Sequence, residues 1–135
     1  MNLAFRVVSA VSGVAAIGAG LVLFGAFFAY QRPGSEALLP MGPLGHYFAA
    51  FAGCALVGWG TALLAAARDL ATGRRLAPGT AFALVLLAVY RMVGWLMGDY
   101  YALAGDVLRY EAGAFLALAL AFIWLRPREA PRVSF

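Results

Sequence analysis

Residues 78–97 read PGTAFALVLLAVYRMVGWLM. Apart from Arg91 the run carries no formal charge, and its length matches the roughly 20 residues that a helix needs to cross a hydrocarbon core of about 30 Å. In lipid a chain must satisfy its own backbone hydrogen bonds, which a helix does within one segment. The stretch therefore predicts a transmembrane helix, opened by a proline suited to a first helical turn and closed before Gly98.

Outward from it, three more apolar runs follow the same pattern. They span about 3–30, 46–71 and 106–125. The first is too long for the apolar core of a cleaved signal peptide, and it ends on bulky Phe27-Phe28-Ala29-Tyr30, so a retained span is expected. The second is expected to end at Gly73, where glycine accepts the left-handed conformation. The fourth is expected to start at Asp106 as N-cap and to stop before Arg126-Pro127. All six prolines are expected in connections or at segment ends. The fold class is all-α: one integral membrane four-helix bundle over 1–135, up-down-up-down.

Composition agrees. Of the 135 residues 64% are hydrophobic and 12% charged, and mean hydropathy is +0.87. A water-soluble domain is about half apolar and a quarter charged, so a soluble enzyme, a disordered tail and a disulfide-stapled module are excluded. All ten Lys-or-Arg positions are arginine, and they lie mostly between the apolar runs rather than along one face. That excludes a nucleic-acid stripe and fits topological charge beside a membrane. Arg6, Arg68, Arg74, Arg75, Arg126, Arg128 and Arg132 fall on one side, against Arg32 and Arg109 on the other. The positive-inside rule places the first group, and both termini, in the cytoplasm. A multi-pass protein of the bacterial inner membrane is expected.

Helix association inside lipid relies on close packing of small residues. The second run offers a four-residue ladder, Ala50, Cys54, Gly58, Ala62 and Ala66, expected to be an interface within the chain or between copies. Smaller sets occur in the first run (Ser9, Ser12, Gly13, Ala16, Gly20) and the fourth (Gly113, Ala117, Ala121). A lone Cys54 cannot form an internal disulfide and reads as packing.

The costly residues are the ionisable ones in the spans. Arg91 lies about 10 Å inside one end of the third helix and Glu111 about 7–8 Å inside the same end of the fourth. An arginine–carboxylate pair is tolerable where a lone charge is expensive, so the two are expected to meet. Polar and aromatic neighbours gather at that end: His46, Tyr47, Tyr90, Asp99, Asp106, Arg109 and Tyr110. They read either as an interfacial belt or as the lining of a ligand pocket. For Arg91 and Glu111 the choice is between a structural clasp and an anionic-ligand or proton-linked site. Trp59 and Trp95 read as packing. One histidine and one cysteine make no metal cluster, and a single His46 excludes a bis-histidine haem; no cofactor, phosphate-cradling loop or hydrolytic triad is expected.

The run Tyr90-Arg91-Met92-Val93-Gly94, then Gly98-Asp99, then Glu111 in the fourth helix, resembles small uncharacterised bacterial four-helix membrane proteins near the DoxX-like group. The resemblance implies a bacterial inner-membrane bundle. The quinone-linked sulfur chemistry associated with DoxX itself does not carry over, because this chain has no paired-cysteine motif. The expected role is a non-enzymatic accessory, assembly or small-ligand-binding subunit, with the bilayer and a homo-oligomer or larger membrane complex as partners. The alternative is a membrane enzyme or redox accessory acting on a lipid or quinone-like substrate at the outer leaflet.

Overall fold

The computed structural model describes residues 2–33, 42–98 and 106–128. They form four helices: α1 (Asn2–Tyr30), α2 (Pro43–Arg68), α3 (Leu70–Met97) and α4 (Val107–Trp124). All four are long and apolar enough to cross a membrane. At 1.5 Å per residue the shortest, α4, reaches about 27 Å.

The connection between α2 and α3 differs from the expectation. It is a single residue, Asp69, and α3 starts about two turns before the apolar stretch that opens at Pro78. Asp69 makes this start: its carboxylate accepts from the Ala71 and Thr72 amides at 3.1 and 2.9 Å and from the Thr72 hydroxyl. These bonds satisfy donors that a helix start leaves orphaned. Gly73 is therefore no terminus; it lies in α3, where the Phe5 ring of α1 fills the space a side chain would take. Pro78 is likewise inside α3. Proline has no N–H to give the carbonyl four residues earlier, which is that of Arg74. The Arg126 Nε, arriving from the end of α4, donates to this carbonyl at 3.1 Å. An in-helix proline is tolerated because a side chain from a neighbouring helix replaces the missing donor.

Two tight helix pairs result, α1 with α2 and α3 with α4, and the pairs touch each other far less than the helices within each. Between α1 and α2 the contact runs glycine on glycine. A Cβ on Gly60 would lie 2.6 Å from the Gly13 carbonyl, and one on Gly53 2.6 Å from that of Gly20. Numbers rise along one helix as they fall along the other. The buried line of α2 is His46, Gly53 and Gly60, extended by Leu63 and Ala66.

The expected ladder does not coincide with that line within the chain. Ala66 is buried, but Ala50 and Ala62 are only half-buried, Cys54 is exposed, and a side chain added at Gly58 would meet nothing within 4 Å. The reason is geometric. A step of four residues overshoots a 3.6-residue turn by about 40°, so the ladder wanders off the contact face, whereas a step of seven stays close to it.

The core that joins the two pairs lies toward the end holding Asp69 and Arg126, here the arginine-rich end. Phe5, Leu63, Ala77, Ala81, Leu84, Ala119 and Phe122 pack there, with Phe5 edge-on to Phe122 at 6.1 Å. The Trp59 indole donates to the Thr80 hydroxyl at 3.3 Å across α2 and α3. Toward the opposite, tyrosine-rich end each pair packs on itself: Ala26 and His46 are buried in the first, Ala88, Leu108 and Ala112 in the second.

Candidate functional site

At the tyrosine-rich end of the α3–α4 pair, Arg91 Nε and Glu111 Oε2 stand 3.0 Å apart. The helices bring them together because they run side by side in opposite sense, so equal depth from the shared end means equal height. Both atoms are shielded from solvent, yet the N–H is not aligned on the oxygen, and neither makes a hydrogen bond to another described group. The contact is a Coulombic ion pair without a directed hydrogen bond. The side chains are 36% and 39% exposed, so the pair lies at the edge of the helix interface rather than in its centre.

One turn further along α3, the Trp95 indole N–H is also shielded and makes no hydrogen bond among the described residues. Its ring lies beneath Arg109 of α4, with the guanidinium carbon 5.7 Å from the ring centre. Arg109 also sits over the Tyr110 ring at 5.0 Å, donates to the Tyr110 hydroxyl at 3.2 Å, and pairs with Asp106 at 3.7 Å. Arg91 lies 5.9 Å from the Tyr90 ring centre. Two arginines, three rings and two carboxylates thus gather at one end of one helix pair.

Other expected members sit elsewhere. His46 is fully buried in the α1–α2 pair. Its ring stacks on Tyr30 at 4.1 Å and 11°, and Nδ1 donates to the Gly42 carbonyl at 3.1 Å. It packs where the chain enters α2, and its Nε2 is shielded from solvent without a hydrogen bond among the described residues. Tyr47, one step on, is exposed and packs edge-on against Phe48. Asp106 holds the N-cap place of α4 but makes no capping bond; its carboxylate turns to Arg109 instead. Asp99 lies outside the described residues.

Trp95 is the member that sequence reasoning set aside as packing. Its spacing of four from Arg91 puts both on one face of α3, and that spacing was the available signal.

No family model, no curated protein and no solved structure matches this chain.

Proposed function

We propose that this chain is a non-enzymatic integral protein of the bacterial inner membrane, an up-down-up-down bundle with both termini in the cytoplasm. It serves as an accessory, assembly or small-ligand-binding subunit through the Arg91–Glu111 cluster. The observation that carries this reading is the combination of partial exposure and unspent hydrogen-bonding capacity at that pair. Ionisable groups inside a bilayer are expensive unless they meet polar partners. A ligand or subunit offering an acceptor to Arg91 and Trp95, or a donor to Glu111, lowers that cost. The inner-membrane placement rests on the four apolar helices and on the arginine distribution.

A second reading is favoured by the rings of Tyr90, Trp95 and Tyr110 beside the two guanidinium groups. Such a lining suits a lipid or quinone-like substrate, with Glu111 as acid or base. One experiment separates the readings. The protein is extracted gently, and co-purifying molecules are quantified by mass spectrometry for the native chain, R91Q and E111Q. The binding reading expects a bound species that falls about tenfold in both variants, the loss of about 1.4 kcal/mol, with helicity retained. No bound molecule or protein in the native preparation would overturn it. Chemical conversion of the bound species by the native chain, lost in E111Q, would establish the second reading instead.

A further inference from the structure

At the opposite end of the molecule lies a second polar feature. Beside Arg126, whose Nε is tied to the Arg74 carbonyl, runs an open groove lined by Arg74, Arg126 and Arg128 together with the apolar Ile123, Trp124 and Leu125. The bond to Arg74 fixes the position of the Arg126 guanidinium while using one of its five donors. Trp124 is 78% exposed, as suits an indole at a membrane–water boundary. Further along α4 the exposed side chains turn wholly apolar, with Ile123 and Leu120.

Charge at this end is one-sided. Among the described residues Arg6, Arg68, Arg74, Arg75, Arg126 and Arg128 face a single carboxylate, Asp69, and Asp69 is engaged with the first turn of α3. The two helix ends beside the groove offer an anion little: the first α3 amides are taken by Asp69, and the carbonyl end of α4 is electronegative. Attraction for an anion must come from the arginine side chains.

We propose that this groove holds the phosphate of an anionic phospholipid, with Arg126 and Arg128 on the phosphate oxygens and Trp124 against the glycerol and upper acyl chain. Arginine forks match phosphate geometry, and basic clusters flanking spans attract anionic headgroups. The apolar part of the lining, continuous with exposed Ile123 and Leu120 of α4, selects a lipid over a free anion. The proposal rests on the helices crossing a bilayer, not on which side the groove faces, and it is independent of the Arg91–Glu111 reading.

The test titrates the detergent-purified full chain with dioleoyl phosphatidylglycerol and dioleoyl phosphatidylcholine, read by native mass spectrometry. The phosphatidylglycerol should bind about 25-fold more tightly than the phosphatidylcholine, and the double variant R126Q/R128Q should abolish that preference, at about fivefold per arginine. The charge-matched pair R68Q/R75Q, outside the groove, should keep it within about threefold. Should the loss of the Arg126–Arg74 bond impair folding, R128Q alone carries the test with a loss of about fivefold. Equal losses in the two double variants, no headgroup preference, an unchanged R128Q, or displacement by millimolar inorganic phosphate would each overturn the proposal.

Discussion

Gly53 and Gly60 show how a missing side chain can hold a structure together. Each lets the α1 backbone come so close that a Cβ would meet a carbonyl oxygen, and a carbonyl cannot swing aside as a side-chain tip can. Gly60→Val is expected to cost about 1–3 kcal/mol, the usual penalty of overpacking. Gly58→Ala, facing open space, is expected to be neutral or mildly stabilising, by up to about 1 kcal/mol. Thermal unfolding of both variants in one detergent checks the contrast; equal losses would contradict it. Asp69 gives a second prediction at this scale. Its carboxyl lies below the ordinary value of 3.8 because it accepts bonds from the Thr72 hydroxyl and amide and the Ala71 amide, with Arg75 adding a smaller pull. A lowered folded-state value means that the stability from the cap is complete above pH 3.8 and is lost only as pH falls through the lower folded value. Melting temperature followed from neutral to strongly acid pH should show this loss in the native chain and not in D69A. A cap contribution that fades at mildly acid pH would contradict it.

Among the elements, α3 is the one whose sequence signals mislead. Glycine and proline usually punctuate structure, and on that basis Gly73 and Pro78 mark a loop. Here a capping aspartate upstream and a ring from α1 over Gly73 override the glycine, and the Arg126 side chain repairs the carbonyl that Pro78 leaves without a donor. Both remedies come from residues distant in sequence, so local reading could not supply them. By contrast α1 and α4 were legible almost to their ends, because uninterrupted apolar length is itself the physical requirement. The Arg91–Glu111 contact was legible too, since depth along adjacent antiparallel helices is simple arithmetic. His46 was not, because its burial depends on Tyr30, where α1 ends. The Pro78 account makes a prediction. In P78A the restored N–H donates to the Arg74 carbonyl, so R126A, which should cost about 0.5–1.5 kcal/mol in the native chain, should cost nearly nothing in P78A. Equal costs in both backgrounds, measured by unfolding, would show that Arg126 does not replace that donor.

For the whole molecule, two helix pairs share a core at the arginine-rich end and separate into independent packings toward the tyrosine-rich end. The arginine distribution predicts the sidedness. In a C54S background, Gln31→Cys should react with an impermeant maleimide in intact spheroplasts, and Ala71→Cys only after permeabilisation. The reverse pattern would invert the orientation. The central claim is that Arg91 and Glu111 neutralise each other across α3 and α4 and so let both helices lie in lipid. Reversible unfolding in a bilayer of the native chain, R91E, E111R and the double variant R91E/E111R tests it most directly. Each single reversal should cost about 1–3 kcal/mol, and the double exchange should regain most of that loss. A double variant as unstable as the two single losses added together, or single reversals without effect, would contradict the claim.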